Sequence, residues 1–384
     1  MAEEKKNDGQ EEKLDGPSVL IMGGCGFIGR HLVQNLVARG NVNIVVADKL
    51  IPQTSYMTSE MIDLYKTSKQ VKIVHSDLSK DHHIKKVFID IGYDYDYIIN
   101  LCGETRFGQS DQDYKIKCLE TCKKCMIAAG NCKKLKKWIE ISTAQIYEPA
   151  KKPLNEKAKI QPITKLAEYR FQCEQLIEKS GLPFVVLRPT IVYGPGDKTG
   201  LTPRLVCAVC YKHTGDKLNF LWTKNLAINT VHVRDLCAAI WLSAEKGKSG
   251  SIYNVSDRGN TTQGMLNPIL EKIFNIKCGF QNSAINKAAK NMMQNVAAHS
   301  NDKHVPMWSD LCKVHNITSS PLTPYIDIEI LTKNYLCIDG QKIEKELGFK
   351  YKYPVLDAPY LQEVIDEYVK QEYYPNLNKM TKKK

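Results

Sequence analysis

Three glycines and one acid carry the first recognisable chemistry of this chain. Gly23, Gly26 and Gly29 stand three apart in Gly23-Gly24-Cys25-Gly26-Phe27-Ile28-Gly29, and Asp48 closes the apolar run that follows. Glycines without side chains let a turn tighten and let backbone approach a pyrophosphate, whose charge rests on the N–H groups of a helix start. An acid at the tip of the next strand accepts hydrogen bonds from a ribose diol and repels a 2′-phosphate, which favours NAD over NADP. Lys49 beside it tempers that preference by offering a phosphate a cation. A glycine triplet alone is weak evidence, and a ligand-free turn is its bland alternative. The order of parts is specific: apolar Val19-Leu20-Ile21-Met22, the glycines, helical periodicity from His31 to Arg39, apolar Asn43 to Ala47, then the acid.

The elements that position these residues continue in alternation. Val71–His75, Tyr97–Leu101, Trp138–Ser142 and Phe184–Leu187 have the composition of buried strands, and Tyr114–Ala129 and Lys165–Lys179 that of helices. This predicts an α/β fold: a Rossmann-type doubly wound parallel sheet with its ligand crevice at the carboxyl ends of the strands. Past Arg188 the regularity loosens among Gly and Pro. The expected organisation is a disordered tail over 1–16 and the dinucleotide-binding domain over 17–188. A smaller substrate-side lobe over 189–375 follows, interleaved with sheet elements returning at about 231–255, and 376–384 is a basic tail. Within 281–320, His299, His304, Cys312 and His315 match no metal signature, so a helical insertion is expected there and no metal site.

Composition narrows the class. A chain of 384 residues with 43% hydrophobic content can bury a large core. Thirteen cysteines without a secretory signal predict a reducing, cytoplasmic setting, and no run approaches membrane-spanning length. Residues 1–16 carry a net −3 and 379–384 a net +4, so +11 of the +12 total falls between them. That suits an acidic small molecule such as a nucleotide, or an acidic macromolecular surface. Lys133, Lys134, Lys136 and Lys137 are expected to form a solvated loop, and no nucleic-acid motif accompanies them. Cys118, Cys122, Cys125 and Cys132 have the spacing of one helix face, expected to be buried or turned to a partner subunit.

With these motifs in order, the chain resembles the extended short-chain dehydrogenase/reductase superfamily, the group of NAD-dependent nucleotide-sugar epimerases and dehydratases. The likeness runs from about residue 18 to 375. Gly23 to Gly29, with Phe27 and Ile28, looks like the cofactor loop, Asp77-Leu78 like the adenine-side acid, and Asn100-Leu101-Cys102-Gly103 like the family's apolar-Ala-Ala turn over the cofactor. Ile141 to Tyr147 looks like the serine/threonine strand end. Leu187-Arg188-Pro189-Thr190, Val192 to Gly196 and Thr230 to Leu236 follow in family order, with Arg188 and Pro189 either lining the cofactor side or simply ending a strand. His232 occupies a position that the family uses structurally. The resemblance also implies a homodimer built on the Tyr114–Ala129 helix.

The family's chemistry needs Tyr-x-x-x-Lys on one helix face, where the lysine lowers the tyrosine's pKa for proton exchange while hydride moves to or from nicotinamide. Glu174 stands where the family helix carries a glutamate four residues after its lysine, which puts Arg170 in the lysine place and Leu166 in the tyrosine place. Leucine has no proton to transfer, and an arginine stays protonated. Thr143 matches the Ser/Thr role, and Tyr147 and Tyr169 are the candidate displaced bases. Tyr65 to Lys69 and Tyr147 to Lys151 match the spacing but fall before the third strand and in a proline-containing loop. Two readings stay open. The first is an NAD(P)-dependent enzyme acting on a nucleotide sugar or related polyol. The second is an inactive structural or sensor subunit of a larger assembly, for example cytoskeletal or axonemal, that keeps the fold.

Overall fold

The computed structural model describes residues 14–92 and 94–380; residues 1–13 of the expected tail, Tyr93 and residues 381–384 lie outside the described residues. Six strands alternate with helices through the first half: β1 (Ser18–Met22), β2 (Asn43–Asp48), β3 (Val71–His75), β4 (Tyr97–Asn100), β5 (Lys137–Ile141) and β6 (Phe184–Pro189). Four short strands and one long-range return follow: β7 (Ile191–Tyr193), β8 (Leu218–Phe220), β9 (Thr230–His232), β10 (Ser251–Val255) and β11 (Cys278–Phe280). β10 comes back to the main sheet beside β6, giving seven parallel strands in the order β10-β6-β5-β4-β1-β2-β3. The order reverses between β1 and β4, which opens a crevice at their carboxyl ends.

A parallel sheet is covered on both faces, so its strands are mostly apolar. Val19, Ile21, Ile44, Val46, Ile99, Ile139, Ile141, Val185 and Leu187 point to one face. There they meet Leu32, Val33 and Leu36 of α1 (Phe27–Arg39) and Leu236, Ile240 and Trp241 of the later helix Val233–Lys246. Leu20, Met22, Val45, Ile98, Trp138 and Val186 point to the other. This face packs on α2 (Asp81–Lys85), on a helix that starts as α3 (Asp111–Tyr114), passes through a π-helical stretch and continues as α4 (Thr121–Ala129), and on α5 (Lys165–Lys179). The α5 start is set by Thr164, whose hydroxyl accepts the N–H of Ala167. Its residues 170, 173, 174 and 177 form one buried stripe laid on β4, β5 and β6.

The lobe after β6 has its own core. Tyr193, Leu205, Val206, Val209, Leu270, Phe274, Leu361 and Ile365 pack together, with Trp308 and Leu311 of the insertion helix Met293–Val314 closing one side. The expected insertion is therefore helical, in two helices, Ser283–Asn291 and Met293–Val314. Within it His304 Nε2 lies 3.2 Å from the Tyr211 hydroxyl. Asp197, buried after Gly194-Pro195-Gly196, accepts the N–H groups of Thr199, Gly200, Leu201 and Thr202 and so caps the helix Thr202–Thr214. Among the described residues no helix is long and apolar enough to cross a membrane.

One contact between α1 and this lobe is pH-sensitive. His31 is buried, its Nε2 lies 2.7 Å from the Pro195 carbonyl oxygen, and its Nδ1 has no partner. Burial pushes its pKa down to about 4 from 6.5, against the pull of that carbonyl. Between these values the unfolded chain binds a proton that the folded chain refuses. Stability that His31 leaves intact above pH 6.5 is therefore lost as pH falls towards 4. Urea midpoints followed from pH 7.5 to 4 should fall more shallowly in His31→Leu than in the parent; equal slopes would mean that His31 does not titrate in this way.

Candidate functional site

The glycine loop is held from behind. Buried Tyr65 donates its hydroxyl to the Gly24 carbonyl at 2.7 Å, Arg30 donates to the carbonyls of Cys25 and Gly26, and Asp48 accepts the Cys25 N–H at 2.9 Å. Gly23 has φ +83°, and a Cβ there would lie 2.8 Å from the Leu101 oxygen, so the loops after β1 and β4 touch across the crevice. A Cβ on Gly29 would meet the Gly23 oxygen at 2.5 Å, which explains the third glycine. The N-terminus of α1 has no side-chain cap at Gly26, so its N–H groups are left for a ligand phosphate. Phe27 and Ile28 follow as the first residues of α1, half-buried. Asp48 ends β2, with one oxygen on Cys25 N–H and the other on Leu50 N–H. Asp77 lies at the next strand end, one oxygen accepting the N–H and hydroxyl of Ser79, and Leu78 is buried beneath it.

The residues where proton transfer would be sought are placed otherwise. Leu166 packs beside Tyr114, Cys118 and Tyr169. Arg170 is buried and donates from Nη1 to the Cys102 carbonyl at 3.0 Å, behind the Cys102–Gly103 turn. Tyr169 turns its hydroxyl to Asp111 at 2.8 Å and stacks on Tyr114 with ring centroids 5.8 Å apart. Tyr147 is buried, accepts from Arg188 Nη1 at 2.7 Å and donates to Asn254 Oδ1 at 2.8 Å. Burial pushes its pKa to about 12 despite the pull of Arg188, so the phenol keeps its proton at neutral pH. Thr143 stands half-buried at the end of β5, its hydroxyl oxygen accepting the Gln145 N–H at 3.2 Å, which leaves its own proton to donate. Ser142, just before it, has a buried hydroxyl without a partner.

The family model for the NAD dependent epimerase/dehydratase family matches residues 19–256. The chain belongs to this family. A dTDP-D-glucose 4,6-dehydratase from Bos taurus is 25% identical over 344 residues, covering 83% of this chain and 89% of that protein. A ketoreductase from Stigmatella aurantiaca that acts on a farnesylated dihydroquinoline oxide is 24% identical over 62% of this chain and 67% of its own length. Among solved structures, UDP-glucuronic acid 4-epimerase from Bacillus cereus in complex with NAD superposes with a TM-score of 0.67 at 18% identity, covering 93% of this chain and 99% of that one. The dTDP-glucose 4,6-dehydratase DesIV double mutant from Streptomyces venezuelae, with NAD and DAU bound, gives 0.66 at 18% identity, covering 93% and 98%. These likenesses show the fold.

Behind the crevice, the face of the sheet under α5 is unusually polar. Glu140 on β5 is fully buried, and its oxygens accept Asn100 Nδ2 at 3.1 and 2.9 Å and Trp138 Nε1 at 2.9 Å. Cys122 Sγ, Cys173 Sγ and a Glu140 oxygen lie within 4.8 Å of one another. Asn100 Nδ2 and Trp138 Nε1 already bond the Glu140 oxygens, and Cys122 Sγ lies 3.7 Å from one of them, so the geometry is that of S–H groups around a carboxylate. The cysteine stripe needs one correction. Cys118, Cys122 and Cys125 are buried, as one of the two alternatives had it, while Cys132 falls beyond the end of α4. His232 is fully buried, stacked 3.8 Å from Tyr353, with Nδ1 accepting the Arg234 N–H.

Two features had no signal in the glycine and Tyr/Lys motifs. The segment after the insertion reaches the start of α5, where Glu329 accepts the Lys165 N–H, and Asp327 approaches so closely that Gly108 has no room for a Cβ. Arg188, which the motif order left as a lining or strand-end residue, is buried in a double contact with Glu174 of α5, while Pro189 ends β6 buried beside it. Removing one partner of such a pair strands the other charge in low dielectric, which costs roughly 3–5 kcal/mol. Arg188→Met is expected to lose that much in urea unfolding; a loss below about 1 kcal/mol would mean that the buried pair contributes little to stability.

Proposed function

We propose that this chain binds NAD in the β1/β4 crevice and takes a nucleotide sugar or related polyol beside it, without running the proton transfer that its relatives' folds support. It is a cofactor-holding binding protein on an enzyme's fold. The observation that carries this reading is the fate of α5: Leu166 brings no proton, and Arg170 is spent on the Cys102 carbonyl. The two tyrosines that might replace the missing base are committed, Tyr169 to Asp111 and Tyr147 to Arg188 and Asn254. NAD, when bound, supplies hydride transfer; this chain contributes the pyrophosphate cradle at α1, the Asp48 carboxylate for a ribose diol, and the Thr143 hydroxyl to orient a substrate hydroxyl. The nucleotide-sugar class is supported by relatives whose names place them on dTDP- and UDP-sugars.

Nucleotide released from natively purified protein and weighed by mass spectrometry should be NAD(H) near one per chain. In titrations, Asp48→Asn is expected to weaken NAD about tenfold and to narrow the preference over NADP, because the lost carboxylate both held the diol and repelled the phosphate. No nucleotide and no measurable binding would leave a scaffold that kept only the fold. The silent chemistry is tested separately. Leu166→Tyr with Arg170→Lys should raise turnover of UDP- or dTDP-hexoses from background by about a hundredfold or more, the usual worth of a positioned acid/base. Turnover by the parent chain at a rate that the double substitution does not improve would overturn the binding-protein reading.

A further inference from the structure

The buried stripe of α5 carries two charges one turn apart, Arg170 and Glu174, and the sheet beneath carries two of opposite sign, Glu140 on β5 and Arg188 on β6. The Glu174–Arg188 pair is in contact. The other two are joined through a chain of hydrogen bonds. Both Glu140 oxygens accept Asn100 Nδ2, and only the amide nitrogen can meet a carboxylate, so the Asn100 orientation is set. Asn100 Oδ1 is thereby aimed at Cys102, accepting its N–H at 3.2 Å and its thiol at 3.0 Å. The Cys102 carbonyl in turn accepts Arg170 Nη1. Gly103 completes the fit: it has φ +122°, and a Cβ there would lie 3.2 Å from both Arg170 Nη2 and Cys118 Sγ. A guanidinium larger than an ammonium therefore occupies space that an alanine at 103 would contest.

We propose that Glu140 is a positioning residue for the NAD crevice: as counter-charge to Arg170 and through Asn100, it holds the Cys102–Gly103 turn in its cofactor-facing shape. The proposal rests on the reading of this crevice as an NAD site. Arg170 cannot shed its proton, so burying it requires an anion within the same low-dielectric pocket. Asp111, Glu104 and Glu174 are engaged elsewhere, with Tyr169 and Lys165, with Arg106 and Lys117, and with Arg188. Burial raises the Glu140 carboxyl on balance, while the hydrogen bonds from Asn100 and Trp138 and the nearby Arg170 cation draw it back, and Glu140 is among the groups that hold Arg170 protonated. The turn between them is the part of the network that meets the crevice.

The test is a cycle of Glu140→Gln, Arg170→Met and their combination in the full chain, read by thermal midpoint and by NAD titration at a temperature where each variant is folded. Glu140→Gln is expected to weaken NAD about tenfold, and the combined variant should bind at least tenfold better than the product of the two single losses. Sub-additive loss of thermal midpoint should accompany it. If either single variant fails to fold, Glu140→Asp and Arg170→Lys, which keep the charges and change the reach, replace them in the same cycle. A Glu140 variant with lowered midpoint but unchanged NAD affinity would reduce Glu140 to a packing role and overturn the proposal, as would independent effects of the two sites. Absence of NAD binding by the parent would overturn the crevice reading on which the cofactor readout stands, whereas additive thermal midpoints would separately reject the charge coupling.

Discussion

Burying a cation that cannot be neutralised is the constraint around which this structure is arranged. α5 presses Arg170 and Glu174 into the sheet, where neither can reach water. The sheet answers with Arg188 opposite Glu174 and Glu140 behind the turn that Arg170 meets, and Tyr147, Asn254, Asn100 and Trp138 extend the hydrogen bonding of Arg188 and Glu140. Such networks are worth having only when complete, because a half-satisfied buried charge costs more than an apolar replacement. Completion here ties four parallel strands, β4, β5, β6 and β10, to one helix. That helix stands where the family's reactive pair would be. At Arg170 the helix serves internal architecture, donating to the Cys102 carbonyl.

The opposite wall of the crevice is built by a different principle. The glycine loop owes its shape to sterics, since Gly23, Gly24 and Gly29 admit no Cβ without overlap with Leu101, Val46 or their own backbone. Its carbonyls are satisfied from behind by Tyr65 and Arg30, and Arg30 also donates to the carbonyls of Ser55 and Tyr56, fastening the segment after β2 to the loop. Backbone donors on the crevice side are thereby spared. A bound dinucleotide would bridge this wall and the Cys102–Gly103 turn. At a hundredfold excess over its dissociation constant, a ligand adds about 2.7 kcal/mol to folding stability, a sufficient physical reason to retain the cradle without turnover.

Much of this was legible in the residues. Parallel strands buried on both faces leave continuous apolar runs, so Val19–Met22, Asn43–Ala47 and Val71–His75 stand out within a residue or so of their ends. The spacing back from Glu174 locates Arg170 without structural help, because helical periodicity is rigid. The partners of Arg170 were hidden. Glu140 sits in Trp138-Ile139-Glu140-Ile141, which reads as an ordinary strand with one polar residue, and only the register that sets it beside Asn100 shows that the two share a face. Cys132 was grouped with its stripe because spacing does not reveal where a helix stops; the chain leaves the helix at Gly130. Tyr65, set aside for lying before the third strand, is a support of the glycine loop, a role that needs a contact across 41 residues.

In the proposed reading, the two walls together show how such a fold could give up its reaction and keep its shape. Proton transfer depends on one hydroxyl and one ammonium placed within hydrogen-bond reach of a substrate, and in the proposed reading Leu166 and Arg170 stand in their places. Cofactor recognition depends instead on backbone geometry distributed over β1, β2, β4 and α1. Arginine in the lysine place does more than leave a gap: it demands room, met by glycine at 103, and an anion, met by Glu140. A residue that merely decayed would carry no such matched neighbours. The matching of Gly103, Asn100, Glu140 and Arg170 is the physical argument on which the proposed reading of the crevice as a ligand-holding site rests.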